Sequence, residues 1–317
     1  YVKRYHFFLS FTKLKLSDLI YFIICITIFV NKLEKMLKYN NKIWWKFLFK
    51  PSGYFFEGMI WSVILYGVVT GLFTFLHKLY PIKLYSISPT FHTVLGLVIG
   101  LLLVFRTNTA YDRWWEGRKH LGALVNTSRH FSMKVNGYLG NEELLNLIKH
   151  FPYILKEHLR KQNFSEIPNI FPPAFAKELS SIQHKPNLLL TRMSQIVLEG
   201  FNNKTISGEQ LIILENEIEK LSNILGACER IRNTPIPFGY SIHLKRILLI
   251  YLITLPFGFI SEMGWWCIPL MMMVFFTMIG IELIGEEIED PFGMDVNDLP
   301  FDELQVKIEG NLDEINK

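Results

Sequence analysis

The sequence is poor in the features that identify enzymes, metalloproteins and secreted folds. Its 317 residues contain only three cysteines, Cys25, Cys228 and Cys267, and no two of them form a CxxC pair. This spacing argues against a disulfide framework and against a cysteine zinc site. The chain has no HExxH, no glycine-rich phosphate loop and no GxSxG elbow, and its nine histidines are dispersed. The sequence therefore predicts a protein that is not an enzyme and requires no cofactor.

An excess of charge of one sign is also missing. The 33 basic and 29 acidic residues leave a net charge of +4, and the basic residues cluster beside apolar runs without forming one long tract. Nucleic acid is therefore not an expected partner. Apolar residues, in contrast, make up 50% of the chain, with 26 Phe and 7 Trp, and the mean hydropathy is +0.22. This composition predicts an integral membrane protein in contact with the lipid bilayer.

Four apolar runs are candidates for helices that cross roughly 30 Å of hydrocarbon. Pro256 and Pro269 lie inside the last two runs, where a membrane helix tolerates proline if neighbouring helices satisfy the freed carbonyl. The connection between those runs, at 257–265, is short enough to make them antiparallel neighbours, with Trp265 and Trp266 at the membrane interface. The four runs are residues 59–76, 84–105, 247–261 and 263–281.

Basic residues predict the orientation of these helices. Lysines precede the first run and arginines follow the second, which places both flanks in the cytosol, although Lys78 and Lys83 in the opposite loop weaken the asymmetry. Four crossings then return both termini to the cytosol. The basic residues on the cytosolic side are Lys42, Lys46, Lys50, Arg106, Arg113, Arg118 and Lys119.

The rest of the chain divides around these runs. The stretch before Tyr240 has helical periodicity, with Leu214, Ile218 and Leu221 on one face, and proline-containing breaks at 167–173 and 185–186. Because the apolar patch at 19–30 is too short for a span and Met36 opens an amphipathic stretch, we expect 1–35 to be upstream or non-native sequence. The predicted divisions are 1–35, an N-terminal cytosolic amphipathic segment at 36–56, transmembrane helices 1 and 2 at 57–110, a cytosolic helical region at 111–240, transmembrane helices 3 and 4 at 241–285, and a C-terminal cytosolic segment at 286–317.

A distinctive motif follows the second run, with the sequence FRTNTAYDRWWEGRKHLGALVN at 105–126. On a helix, spacings of three and four place Arg106, Ala110, Arg113 and Gly117 on one stripe, so two cations share a face just below the membrane. One interpretation is a juxtamembrane anchor at lipid headgroups. The other is a basic vestibule that concentrates anions.

This motif strongly resembles the segment after the second membrane helix of bacterial and plant bestrophin homologues. GEEIEDPFGMD at 285–295 and IRNTPIPFGY at 231–240 are similar to two further regions of that family, in the same order. The resemblance covers the chain from about Lys42 to Leu304. It identifies the chain as a bacterial bestrophin-like ion channel.

The resemblance implies an all-α membrane protein with four transmembrane helices per subunit, assembled as a homopentamer around one central pore in the bacterial inner membrane. The expected function is passive conduction of anions, chloride above all. Two alternatives stay open, because some bacterial relatives favour monovalent cations and because a non-conducting membrane scaffold is compatible with the composition. The residues assigned to the family motif and basic vestibule are Arg106, Asn108, Asp112, Arg113 and Arg118.

The second membrane helix is expected to line a narrow apolar neck. Thr93, Leu97 and Leu101 recur at every fourth residue, and Gly96 and Gly100 form an adjacent stripe of small residues that allows close helix packing. We predict that the first three face the pore. The alternative is that they face lipid or a neighbouring helix, because an entirely apolar helix has no polar face to mark the pore.

The resemblance also raises the possibility of a calcium site after the last membrane helix. Asp295 and Asp298 match acidic positions of the calcium clasp of animal bestrophins. The chain departs from that pattern by having Val296 and Asn297 where the acidic run would continue. The alternative is that these acids are solvated and paired with Arg106 or Arg113.

Overall fold

The computed structural model describes residues 54–80, 88–162, 164 and 167–316, and all regular structure in these ranges is helical. The predicted segment at 1–35 and nearly all of the predicted segment at 36–56 lie outside them. The helices are α1 (Tyr54–Leu79), α2 (Pro89–Tyr138), α3 (Glu142–Arg160), α4 (Ile167–Ile170), α5 (Pro173–Ser181), α6 (Lys185–Asn202), α7 (Gly208–Asn233), α8 (Phe238–Met263), α9 (Cys267–Glu289) and α10 (Phe301–Ile315), with a 3-10 turn at Gly264–Trp266.

The apolar runs form helices that can cross a membrane. Three helical stretches are long and apolar enough by length and composition: 58–79, 89–138 and 208–289. The third stretch is α7, α8 and α9 in succession, and its apolar residues belong to α8 and α9. Pro256 lies inside α8 and Pro269 in the first turn of α9, so both runs accommodate their prolines as predicted.

The four apolar helices pack as one bundle with small residues at the contacts. On α1, Gly67 meets Met272 of α9, where an added Cβ would lie 2.5 Å from the sulfur, and Met59 lies against Gly280. The pairing of early with late residues makes α1 and α9 antiparallel. Lys245, in the second turn of α8, contacts Glu286 near the end of α9, so these two helices are antiparallel as predicted.

The reversal between α8 and α9 is shorter than expected. The predicted connection began at Phe257, but α8 continues to Met263 and only Gly264–Trp266 separates it from α9. Gly264 ends the helix with φ of +54°, in the region that favours glycine. The helix continues through Pro256, so the apolar residues that follow it belong to α8.

The predicted boundary between membrane and cytosolic parts at 110 and 111 falls inside a single helix. Helix α2 has 50 residues and is therefore about 75 Å long. The change from apolar to polar side chains after Phe105 changes the environment of the helix but does not end it. The next proline after Pro89 is Pro152, so no proline interrupts the backbone hydrogen bonds within α2. It ends where Gly140, with φ of +61°, donates its N–H to the Val135 carbonyl.

The predicted cytosolic region has its own core between the polar half of α2 and helices α3, α6, α7 and α10. Phe131, Phe151, Leu214 and Phe301 are fully buried there. The periodic apolar face of α7 is buried as predicted. The proline breaks are misplaced by a few residues, because the break predicted at 167–173 contains the short helix α4, and the break predicted at 185–186 lies in the first turn of α6. Helix α10 folds back onto α2 and α3, so the end of the chain closes this core.

Candidate functional site

One face of α2 points away from the other helices of the subunit. Leu97 is 76% exposed and Leu101 is 55% exposed, and Thr93 is also exposed. The Thr93 hydroxyl donates to the Pro89 carbonyl at 3.0 Å, which satisfies its proton within the first turn. The three predicted neck residues therefore share an apolar surface that the described part of the subunit leaves uncovered.

The opposite face of α2 is packed against α8 and α9. Ile99 and Leu103 are buried there, and His92 is buried with its Nε2 3.2 Å from the Thr254 hydroxyl. Gly96 lies against the Tyr251 ring, and a Cβ at this position would be 2.7 Å from the phenol oxygen. Gly96 thus serves close packing within the subunit, whereas no atom lies within 4 Å of a Cβ built on Gly100.

Arg106, the first cation of the motif, is buried in an ion pair. Its side chain is 2% exposed, and its Nη2 lies 2.5 Å from Oε2 of Glu289 at the end of α9. The other Glu289 oxygen accepts the Ile236 N–H at 2.8 Å. One carboxylate therefore joins the membrane helix α2 to the segment that leads into α8.

Arg113, one further turn along the stripe, ties the same segments through backbone carbonyls. It donates from Nε to the Glu289 carbonyl at 3.1 Å, from Nη1 to the Thr234 carbonyl at 2.5 Å, and from Nη2 to the Ile231 carbonyl. Burial lowers the pKa of Arg113, against the opposing effect of the Glu289 and Asp290 carboxylates.

The basic vestibule stays a prediction. Within the subunit, Arg106 and Arg113 share one side of α2 as predicted, and both are paired, Arg106 with the Glu289 carboxylate and Arg113 with backbone carbonyls. Asn108, Asp112 and Arg118 lie on the exposed side of the helix. The five motif residues are thus divided between two faces of α2.

A cavity of about 340 Å³ lies beside the ion pair, between the apolar helices and the segment that leads into α8. Both signs of charge line it, and two of its lining residues, Lys245 and Glu286, form an ion pair at 2.8 Å. Its charged lining residues are Arg106, Arg113, Arg232, Lys245, Glu286, Glu289 and Asp290. This lining alone favours neither anions nor cations.

The loop after α9 is fixed against the motif. Phe292 is buried, and a Cβ on Gly117 would lie 3.2 Å from its ring and 3.1 Å from Leu299. The indole N–H of Trp114 donates to the Asn297 carbonyl at 2.9 Å. Gly117 therefore provides the space in which the Pro-Phe-Gly segment packs on α2.

The two candidate calcium ligands lie in this loop with unequal exposure. Asp295 is exposed, whereas Asp298 is 4% exposed and its Oδ2 accepts the Asp295 N–H at 2.6 Å. Burial, together with the nearby carboxylates of Asp295, Asp290 and Glu287, raises the pKa of Asp298 to about 8. Asp298 is therefore a buried, largely protonated acid at neutral pH, in contrast to the solvated carboxylate considered above.

The loop does not present a converged calcium site. Calcium takes six to eight oxygen ligands. Within the described ranges, no three carboxylate, histidine or cysteine ligand atoms come within 4.8 Å of one another in this loop. The residues present do not fit a preformed calcium clasp.

Residues 36–314 match the family model described as bacterial and fungal bestrophin protein. The chain belongs to the bestrophin family. The three segments that carry the resemblance, at 105–126, 231–240 and 285–295, lie far apart in the sequence and meet at the Arg106 and Arg113 network. In this bestrophin the family motifs therefore hold one another in place, a role that their separate positions along the chain did not reveal.

Relatives of this bestrophin are named as channels. It is 36% identical over 291 residues to a voltage-dependent anion channel-forming protein of Nostoc sp., covering 87% of this chain and 92% of the relative. A protein of the same description from Synechocystis sp. is 35% identical over 230 residues, covering 69% and 75%. The family and these relatives indicate a membrane channel and not an enzyme.

Solved structures support the fold. A bacterial bestrophin homolog from Klebsiella pneumoniae superimposes with a TM-score of 0.78 at 23% identity, covering 81% of this chain and 98% of that chain. The all-helical architecture of this integral membrane bestrophin is therefore the architecture of its family.

Proposed function

We propose that this bestrophin is an anion channel that conducts chloride, formed by five identical subunits around a central pore. Each subunit crosses the membrane four times, through α1, the apolar part of α2, α8 and α9. The sharp reversal at Gly264 supports the separation of α8 from α9 into two crossings. The subunit then has both termini and the cytosolic helical region on the cytoplasmic side of the bacterial inner membrane.

The observation that carries the proposal is the uncovered apolar face of α2. Leu97 is 76% exposed and Leu101 is 55% exposed, although they lie in a helix whose opposite face is packed. Five such faces around an axis would form stacked apolar rings. An apolar constriction resists bare ions and can gate by dewetting.

The sign of the permeant ion is the less constrained part of the proposal. The names of the relatives favour anions. The pairing of Arg106 with Glu289 leaves the junction below the neck with both signs of charge, and this favours keeping a monovalent-cation channel as the second candidate. A non-conducting scaffold is the third candidate, and the absence of ion flux would identify it.

Ion flux from purified protein in liposomes tests the proposal. We expect voltage-dependent current, and in asymmetric potassium chloride the reversal potential should approach the chloride equilibrium potential. A reversal potential near that of potassium would identify the cation channel. Liposomes that contain correctly assembled protein but carry no current would leave the scaffold as the function.

The homopentamer is tested by native mass spectrometry in detergent. We expect one main species at about five times the 37.2 kDa mass of the chain. The physical reason is the large apolar face of α2 that a single subunit leaves exposed, because such a surface is covered by partners or lipid. A stable monomer or dimer under conditions that preserve helix content would contradict the prediction.

Calcium is not required in this proposal. Because Asp298 is buried and largely protonated and the loop lacks a converged ligand set, we expect chelation of calcium to change the current less than about twofold, a barrier change under roughly 0.5 kcal/mol. The double variant Asp295→Asn/Asp298→Asn serves as the matched control. A current that falls on chelation in the wild type but not in this variant would instead establish a calcium site.

A further inference from the structure

Three side chains with metal-binding atoms meet in the cytosolic region, away from the channel motifs. Nε2 of His158 lies 2.6 Å from Oε1 of Glu229, and Nε2 of His184 lies 2.8 Å from the same oxygen. The two imidazole rings are 4.6 Å apart between centroids. All three ligand atoms lie within 4.8 Å of one another.

Each member of this cluster comes from a different helix. His158 lies in the last turn of α3, His184 is the N-cap of α6, and Glu229 lies on α7. Their side chains are 22%, 36% and 25% exposed, so the helices fix the cluster while solvent still reaches it. An ion can therefore enter without unfolding of the region.

The chemistry of the donor set selects the class of ion. Two imidazole nitrogens and one carboxylate oxygen are ligands that zinc and related first-row transition cations prefer, whereas calcium and magnesium take oxygen. Three protein ligands with an open side leave a coordination position for water. We propose that His158, His184 and Glu229 form a binding site for a zinc-class divalent cation that links α3, α6 and α7.

The distances are compatible with a site that expands slightly on loading. In tetrahedral zinc, bonds of about 2.0–2.1 Å place neighbouring ligand atoms about 3.3 Å apart. The observed nitrogen to oxygen distances of 2.6 and 2.8 Å are hydrogen bonds, so the ligands must separate by about 0.5–0.7 Å. Rotation of partly exposed side chains supplies a movement of this size.

Loading also requires a change in the tautomer of His184. Its Nδ1 accepts the Asn187 N–H at 3.4 Å, which places the proton of the neutral ring on Nε2. A metal on Nε2 moves that proton to Nδ1 and removes this hydrogen bond. Because 3.4 Å is long for an N–H to nitrogen contact, the cost at the start of α6 is small.

Other histidine and carboxylate pairs in the described ranges lack this convergence. His120 lies 3.8 Å from Glu116, and His150 lies 3.9 Å from Glu309, with one imidazole in each case. One histidine and one carboxylate hold a transition metal weakly. The first pair therefore provides a matched control.

The experiment uses the full chain, purified without a polyhistidine tag and stripped of metal. Binding of Zn²⁺ is measured by competition with a chelating dye, and Co²⁺ is added separately to report coordination through its visible absorption. We expect one tightly held ion per subunit, a Co²⁺ spectrum of tetrahedral or five-coordinate type, and a higher melting temperature with metal, since an ion that binds only the folded state stabilises it.

The variants His184→Asn and Glu229→Gln identify the ligands. Asparagine retains an oxygen acceptor for the N-cap of α6 while it removes the imidazole. Each variant should bind Zn²⁺ at least about 100-fold more weakly, because loss of an outer-shell partner alone costs roughly 10–100-fold. His120→Asn should bind as the wild type does.

Three results would overturn the proposal. These are a wild-type protein that binds no Zn²⁺ against the dye, a Co²⁺ spectrum that stays that of the hydrated ion, and equal Zn²⁺ affinity in all the variants. The wild-type measurements decide the matter even if a variant fails to fold. Because the readout is metal binding, a failure here would leave liposome flux, and the channel function, unchanged.

Discussion

Alanine in place of Leu97 or Leu101 is expected to raise the conductance of the assembled channel about tenfold. Each substitution removes methyl groups from five subunits at once, which widens an apolar ring and makes it easier for water to enter. A fall of roughly 1.4 kcal/mol in the barrier to ion passage corresponds to a tenfold change in rate. Single-channel recording in planar bilayers measures the effect directly.

These substitutions should cost little stability. A buried Leu→Ala change costs roughly 2–5 kcal/mol, but Leu97 is 76% exposed and Leu101 is 55% exposed within the subunit. Leu102 is the matched control, because it is partly buried against the bundle of membrane helices. Leu102→Ala should lower the melting temperature and leave single-channel conductance nearly unchanged.

The assignment of the pore face depends on the contrast between these variants. If Leu97→Ala and Leu101→Ala assemble as pentamers but conduct like the wild type, while Leu102→Ala alters the current, a different face of α2 lines the pore. The exposed leucines would then face lipid or the neighbouring subunit.

Glu289→Gln is expected to destabilise the subunit by about 3–5 kcal/mol, the typical cost of leaving one partner of a buried ion pair without its counter-charge. Glutamine has nearly the same shape as glutamate, and its amide oxygen can still accept the Ile236 N–H. The hydrogen bond to the segment before α8 is therefore retained. The Arg106 guanidinium, however, is 2% exposed and its Nε and Nη1 already lack partners. Without the Glu289 charge, the ion pair no longer offsets the cost of burying the Arg106 guanidinium.

Thermal unfolding in detergent measures this cost. Size-exclusion chromatography of the heated samples reports when the proposed pentamer is lost. Asp112→Asn is the control, because it removes an acid from the exposed face of α2. Surface substitutions of this kind usually change the free energy of unfolding by no more than about 0.5 kcal/mol. Equal melting temperatures for Glu289→Gln and the wild type would mean that the ion pair contributes no stability and that the two side chains separate in the membrane.

The sequence was sufficient to predict the helices because their signals are local. Apolar runs between charged residues located α1, α8 and α9, and the period of Leu214, Ile218 and Leu221 located the buried face of α7. The same signal misplaced the end of the second membrane helix. A change from apolar to polar side chains marks the edge of the membrane, whereas the end of a helix depends on backbone features such as Gly140.

Partnerships between distant segments were not predictable from local patterns. The spacing of Arg106 and Arg113 gave their common face, but not that Glu289 and the carbonyls of 231–234 would occupy it. The spacing of the two arginines carried no information about these partners. His158 and His184 lie 71 and 45 residues from Glu229, so only the folding of α3, α6 and α7 brings them together.

The unbroken helix α2 rigidly connects the predicted neck residues to the core around Phe131. Leu97 and Phe131 are separated by 34 residues, or about 51 Å along the axis. Without a proline hinge between them, a tilt of about 5° around the Phe131 end displaces Leu97 by roughly 4 Å, most of the 5.4 Å pitch of a helical turn. In the proposed channel, a small repacking among α3, α7 and α10 would therefore move the predicted neck residues mechanically, without diffusion of an ion or ligand.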